Sequence, residues 1–139
     1  MTDRPLIGET GRMQAESVEH AMLRAVGEWL GTSLEPRTLS LAGGIRVEVE
    51  GIDRAETVLV QLVPTSGQPK SHHRNKAMAD MLKLVWLRSA LSTDPRAVLC
   101  ISEPLARFFS AASWPSTAAR DLGVGIVVYR PGHPVEQLV

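Results

Sequence analysis

The sequence predicts an α/β fold in which a mixed central sheet carries helices on both faces. Apolar residues recur at helical spacing over residues 14–30 and 71–91, with strand-like apolar runs between and after them. The last two strands are predicted at residues 97–101 and 125–129, joined by a helical crossover that favours parallel pairing. The order is therefore helix, three strands, helix, strand, and then an additional helix and strand.

The composition is that of one ordinary globular domain. The chain has 139 residues, of which 44% are hydrophobic and 22% are charged. Its 15 basic and 15 acidic side chains cancel, so a general electrostatic attraction to nucleic acid or to a membrane is not supported. The single cysteine, Cys100, lies in an apolar run and is interpreted as a core residue, which fits a reducing cytoplasm. With no stretch near the roughly 20 apolar residues that span a bilayer, we expect a cytoplasmic protein without membrane contact.

The predicted elements lie between two peripheral segments. Residues 1–13 contain two glycines and one proline, which predicts a flexible N-terminal arm. Residues 14–130 hold every predicted helix and strand and are expected to form the single domain. Residues 131–139 are predicted to be a C-terminal tail on the surface.

A tight hairpin is predicted to join two of the strands. Residues 45–50 alternate apolar and charged side chains, the pattern of a half-buried strand. Residues 58–63 form a continuous apolar strand that only Gln61 interrupts. If the turn is centred on residues 54–55, Glu48 lies opposite Gln61 on the same face of the sheet.

Charged residues also interrupt both long apolar helices. Lys76, Asp80 and Lys83 follow one another at i, i+4 and i+7 on a helix that is apolar nearly all round and is expected to be mostly buried. This stripe is either a solvent-facing seam or the wall of a cleft, and we predict that it faces the same side of the sheet as Gln61. In the first helix, Glu19 lies within the apolar arc, where it either reaches out to water or turns towards a site.

A basic segment precedes the second long helix. It contains two lysines, two histidines and one arginine within seven residues. Such a segment near a helix N-terminus is either a phosphate-contacting patch or a solvated loop. The patch that we predict consists of Lys70, His72, Arg74 and Lys76.

The element order and two stretches, IRVEVEGIDRAETVLVQLV and KAMADMLKLVWL, resemble the PD-(D/E)XK nuclease-like superfamily, which has the restriction-endonuclease-like fold. The resemblance covers about residues 14–129. In that superfamily an acid near the second core strand and a D/E-x-K pair on the third hold Mg²⁺, and the lysine lies beside the attacking water. The first helix often contributes a glutamate.

The resemblance implies a degenerate site. Gln61 stands where the third-strand acid is expected, and Val63 stands where the lysine is expected. Asp53 matches the upstream acid, with Glu48 and Glu50 as rivals. A glutamine offers one neutral oxygen where Mg²⁺ prefers a carboxylate, and a valine cannot stabilise phosphate charge.

Two further sets of residues follow from the same resemblance. A lysine on the following helix can replace the missing one, as either Lys76 or Lys83, and Lys70 can reach in from the loop. The predicted catalytic residues are thus Asp53, Gln61, Lys76 and Lys83. If activity survives, the predicted Mg²⁺ ligands are Glu19, Glu48, Glu50 and Asp53; otherwise no cofactor is expected.

These observations support three functional hypotheses. The first is a catalytically impaired nuclease-like domain that binds nucleic acid or supports a nucleic-acid-processing system. The alternative is a non-catalytic protein-interaction or regulatory module on the same fold. The second alternative is an active Mg²⁺-dependent endonuclease or exonuclease whose lysine has migrated to the helix. The partners that remain open are DNA, RNA, another protein, or a second copy of this chain in a homodimer.

Overall fold

The structure is a computed structural model that describes the backbone of residues 7–139 and the side chains of residues 18–139. Two short 3-10 helices, Ala42–Gly44 and Glu103–Phe109, accompany the main elements. In chain order, these main elements are α1 (Ile7–Leu30), β1 (Glu35–Ser40), β2 (Arg46–Ile52), β3 (Val58–Val63), α2 (Ser71–Ala90), β4 (Arg96–Ser102), α3 (Trp114–Leu122), β5 (Val124–Tyr129) and β6 (Glu136–Gln137).

The sheet is mixed, as predicted. Its six strands lie in the order β1-β2-β3-β4-β5-β6. The first three strands pair antiparallel, β3, β4 and β5 pair parallel, and β6 pairs antiparallel with β5. The parallel pairing of β4 with β5 that the crossover predicted is confirmed, and α2 forms a second crossover between the parallel strands β3 and β4.

Helices cover both faces of the sheet because successive side chains of a strand point to opposite sides. On β3, Val60 and its even-numbered neighbours pack with Met22 and Val26 of α1. The odd-numbered Leu59 and Val63 pack in a second core with α2. Gln61 has an odd number as well, so its side chain lies on the α2 side.

Two predicted boundaries need correction. Helix α1 begins at Ile7, so residues 7–13 belong to the helix and not to an arm, while residues 1–6 lie outside the described part of the chain. The glycines that indicated an arm cost a helix only about 1 kcal/mol each. Residues 131–139 are not a simple surface tail, because β6 covers the edge of β5 and Val135 is buried.

Helix α2 is less buried than its apolar sequence predicted. Leu82 is 72% exposed and Trp86 is 41% exposed, whereas Met81, Leu84 and Leu87 are buried in the core. A helix that lies on a sheet buries only one side, so apolar residues on its outer side face solvent. Within residues 7–139, no helix is long and apolar enough to cross a membrane.

Candidate functional site

The candidate site lies where β2 and β3 diverge. Their antiparallel ladder pairs Gly51 with Val60 and Ile52 with Leu59. Beyond these pairs, side chains replace the backbone partners of the ladder. The backbone N–H of Glu50 donates to Gln61 Oε1 (2.9 Å). The next bond runs the other way, since the backbone N–H of Leu62 donates to a carboxylate oxygen of Glu50 (3.2 Å). The amide in this buried strand therefore satisfies backbone groups that the ladder leaves open.

A β-bulge in β2 places Glu50 at this divergence. Arg37 of β1 pairs with Val49 and Glu35 pairs with Ile52, so two steps along β1 correspond to three steps along β2. The extra residue bends the strand and redirects side chains, which is how bulges commonly act. Gly51, within the bulge, lies so close to α1 that a Cβ there would collide with the Leu23 side chain.

The predicted pairing of Glu48 with Gln61 is wrong by two residues. The turn is centred one residue further along than predicted, because Glu56 adopts a left-handed conformation with φ 57°. The residue beside Gln61 is consequently Glu50. The Glu48 side chain is exposed, and its backbone carbonyl accepts a hydrogen bond from Lys83 Nζ (2.9 Å).

Helix α2 completes the site. Lys76 Nζ lies 2.6 Å from Asp80 Oδ2 and 3.2 Å from Glu50 Oε1. It also donates to the backbone carbonyl of Leu62 (2.8 Å), while Gln61 Nε2 donates to Asp80 Oδ1 (3.0 Å). We call these four side chains, Glu50, Gln61, Lys76 and Asp80, the fork cluster. The prediction that the charged stripe of α2 faces the same side of the sheet as Gln61 is confirmed.

The charged side chains of the fork cluster pair with one another. Gln61 is 1% exposed and Asp80 is 7% exposed, whereas the Lys76 side chain retains 43% exposure. Burial by itself lowers the pKa of Lys76, but the hydrogen bonds and charges of Asp80 and Glu50 hold this pKa above its usual range. The ammonium is therefore charged at neutral pH and lies as a resident cation between two carboxylates.

This arrangement does not fit a divalent cation. Mg²⁺ needs several oxygen ligands, and the oxygens of Glu50, Asp80 and Leu62 already surround the ammonium of Lys76. No group of three histidine, cysteine, aspartate or glutamate side chains within residues 18–139 could hold a metal ion. The structure does not bring the predicted ligand set together: Glu19, Glu48, Glu50 and Asp53.

Two of those acids occupy other parts of the fold. The carboxylate of Asp53 accepts hydrogen bonds from the backbone N–H groups of Thr57 (2.7 Å) and Val58 (2.9 Å) and from the Thr57 hydroxyl. Burial raises its pKa, but these bonds outweigh burial and hold the pKa of Asp53 below its usual value. Asp53 thus stabilises the hairpin turn. Glu19 belongs to α1, whose buried residues pack on the opposite face of the sheet from the fork cluster.

The positions considered for the catalytic lysine lie in different surroundings. Val63 is fully buried in the core on the α2 side, where a charged side chain would lack solvent. Lys76 reaches the site from α2, and Lys83 lies beside it at the Glu48 carbonyl. Asp80 was not among the predicted site residues, although its i, i+4 spacing from Lys76 indicated the ion pair.

The side chains of the predicted basic patch do not share one surface. Lys76 turns inward, and the backbone N–H of Lys70 donates to His73 Nδ1 (2.9 Å). The Arg74 guanidinium turns instead towards the ring of Phe108, 5.9 Å from its centroid. Lys70 and His72 remain exposed.

Comparisons with known proteins identify the fold. An fdxN element excision controlling factor protein from Anabaena variabilis matches with a TM-score of 0.62 and 15% identity, covering 88% of this chain and 99% of that chain. An XisH family protein from Nostoc punctiforme PCC 73102 matches with a TM-score of 0.57 and 16% identity, covering 81% and 90%. At these identities the likeness shows a shared fold alone. No family model matches the chain, and no curated protein sequence matches it.

Proposed function

We propose that this protein is a nuclease-like domain that has lost standard catalysis and binds DNA within a DNA-processing system, such as one that controls excision of a genetic element. Two observations support the link to DNA. The fold is shared with an fdxN element excision controlling factor protein, and the β2–β3–α2 stretch resembles the PD-(D/E)XK superfamily. A fold alone does not determine function, so the state of the site carries the rest of the proposal.

The observation that carries the loss of catalysis is the position of Lys76. In the resembled superfamily a metal ion held by acids neutralises the charge that develops on phosphate. Here the ammonium of Lys76 lies between Glu50 and Asp80, and the neutral Gln61 bonds to both residues. Removing one preorganised electrostatic contact costs an enzyme about 3 kcal/mol, or on the order of a hundredfold in rate.

The experiment measures binding and cleavage on the same preparation. Fluorescence anisotropy with labelled duplex DNA, single-stranded DNA and RNA gives affinities from about 50 mM salt upwards, where phosphate contacts dominate. Parallel incubations with Mg²⁺ and with Mn²⁺ measure cleavage. We expect DNA binding that weakens linearly with salt on a log–log plot, together with no cleavage.

Two outcomes would contradict the proposal, each in a different part. If the parent does not bind DNA even at low salt, the proposed role in DNA binding is wrong, and a protein-interaction module is favoured. If the parent cleaves DNA and Asp80→Asn does not, the proposed loss of catalysis is wrong, and an active nuclease whose lysine comes from α2 is favoured.

A specific observation favours the protein-interaction module as the second candidate. Leu82 and Trp86 lie one turn apart on the outer side of α2, 72% and 41% exposed, and Trp114 of α3 is 68% exposed. Exposed apolar and aromatic side chains often mark protein interfaces. Light scattering of the parent and of Leu82→Lys tests the homodimer, with Thr93→Lys in the exposed turn after α2 as the control. A dimer that only Leu82→Lys dissociates supports self-association, and a monomeric parent contradicts it.

A further inference from the structure

A groove opens at the carboxyl ends of the parallel strands β3 and β4. It lies between the loop after β3, residues 67–69, and the Glu103–Phe109 helix that follows β4. Its volume is about 880 Å³. Open α/β sheets commonly bind ligands at the carboxyl ends of their strands. The fork cluster does not line this groove, so the groove is a separate feature.

Two arginines give the groove its charge. Arg74 and Arg107 both line it, and neither forms an ion pair with any side chain among residues 18–139. The one acid in the lining, Glu103, is paired with Arg130 (2.9 Å). Arg130, which lies outside the groove lining, pairs with Glu103 and also with Glu136 (2.6 Å), so it offsets only part of the negative charge of Glu103. The two guanidinium groups that line the groove remain available to an anion.

The aromatic wall of the groove positions one of these guanidinium groups. The Arg74 guanidinium lies 5.9 Å from the centroid of the Phe108 ring, within the range of a cation–π contact. Phe108 in turn packs edge-to-face against the buried Phe109, with centroids 5.2 Å apart. A guanidinium on an aromatic face keeps its in-plane N–H groups free to bind phosphate oxygens. Such positioning before binding lowers the entropy that a ligand must overcome.

We propose that Arg74 and Arg107 bind a backbone phosphate of DNA in this groove. The proposal rests on the proposed function, because it names the surface with which that function contacts DNA. It replaces the predicted patch: of Lys70, His72, Arg74 and Lys76, only Arg74 lines the groove. Lys76 is held in the fork cluster by two carboxylates, whereas Arg107, which the patch did not include, supplies the second charge.

The test compares single charge removals. Arg74→Gln and Arg107→Gln are measured by anisotropy on a short fluorescein-labelled DNA duplex, beside Arg54→Gln as the control. Arg54 is exposed in the β2–β3 turn, at the opposite end of β3 from the groove. Each groove variant should bind about five- to tenfold more weakly at about 0.1 M salt and lose about one unit of salt slope. Arg54→Gln should match the parent.

Charge-preserving variants separate charge from folding. Arg74→Lys and Arg107→Lys keep the positive charge, so their salt slopes should equal that of the parent, with affinity lower by about twofold. Thermal unfolding checks that all variants fold. If the parent binds DNA while both Gln variants match Arg54→Gln, or if the Lys variants lose as much slope as the Gln variants, the groove is not the phosphate site and the proposed function stands. If the parent does not bind DNA, the proposed function fails first.

Discussion

The ammonium of Lys76 lies 2.6 Å from the carboxylate of Asp80, one helical turn further along α2. The same nitrogen donates to the Leu62 carbonyl at the end of β3 and to Glu50 on β2. One side chain thus joins a helix to two strands at the place where those strands separate. Because Asp80 is buried and accepts a second bond from Gln61, this contact is more than an exposed i, i+4 pair.

Replacing this cation should destabilise the protein and create a metal site. Lys76→Met leaves Glu50 and the buried Asp80 without their positive partner, and we expect a loss of about 2 kcal/mol in the free energy of unfolding. The exposure of Lys76 keeps this cost below that of a fully buried pair. The freed oxygens of Glu50, Asp80 and Leu62 are hard ligands, so Mn²⁺ or Mg²⁺ should restore part of the stability. Urea denaturation with and without the cation measures both effects.

Lys83→Met is the matched control for this variant. Lys83 lies on the same helix, and its side chain donates to the Glu48 carbonyl. Its replacement should cost less, and divalent cations should not reverse the loss. Equal responses of the two variants to Mn²⁺ would contradict the interpretation of Lys76 as a resident cation.

Asp53 should make the hairpin sensitive to acid. Hydrogen bonds from Thr57 and Val58 hold the pKa of Asp53 below its ordinary value of 3.8 in the folded state. Its stabilisation is therefore fully present above the pKa of the unfolded chain and is lost as pH falls through the lower folded pKa. Asp53→Asn should lower the free energy of unfolding by about 1 kcal/mol at neutral pH. In this variant the free energy of unfolding should then fall less steeply as the solution is acidified. Unfolding followed from about pH 7 down to about pH 2 measures the difference, which should shrink as the pH falls below the ordinary value of 3.8 and through the lower folded pKa. Asp121→Asn, at an exposed position, is the control. The prediction is wrong if the free energy of unfolding falls with acid to the same extent in the parent and in Asp53→Asn.

Cys100 should be unreactive in the folded protein. It is fully buried within β4, and burial raises the pKa of its thiol to about 12. The reactive thiolate is therefore scarce at neutral pH, and reagents cannot reach the sulfur. A chromogenic thiol reagent should label the protein only after denaturant is added, when one equivalent reacts. Rapid labelling of the native protein would place Cys100 outside the core.

Patterns that depend on local spacing were predictable from the sequence. The period-two and continuous apolar runs identified β2 and β3, and the crossover predicted the parallel pairing of β4 and β5. The spacing of Lys76 and Asp80 on an apolar helix predicted that both face the sheet beside Gln61. Each of these inferences needs only the geometry of a single helix or strand.

Features that arise between elements were not predictable in the same way. The bulge that redirects Glu50 depends on pairing with β1, and the turn depends on a left-handed Glu56. Neither is visible in the spacing of the hairpin residues, so the predicted partner of Gln61 was Glu48 and not Glu50. Asp53 fitted the spacing of an upstream acid, yet its hydrogen bonds belong to the turn. Arg74 and Arg107, which both line the groove, are 33 positions apart in the chain, so spacing alone does not bring them together.

The last prediction concerns catalysis. We expect no detectable Mg²⁺-dependent cleavage by the parent, because Gln61 carries no charge and Lys76 occupies the space between Glu50 and Asp80. Restoring the superfamily motif through Val63→Lys is not informative, since Val63 is fully buried and a lysine there should unfold the chain. Gln61→Glu in the Lys76→Met background is the sharper variant, because the ammonium no longer lies between the acids. It places a new carboxylate beside Asp80, so it should lower stability at neutral pH and give a larger Mn²⁺-dependent rise in melting temperature than Gln61→Leu in the same background. Cleavage is assayed in the same samples. Robust cleavage by the parent, abolished by Asp80→Asn or Lys76→Met, would refute the loss of catalysis and identify Lys76 as the migrated lysine of an active nuclease.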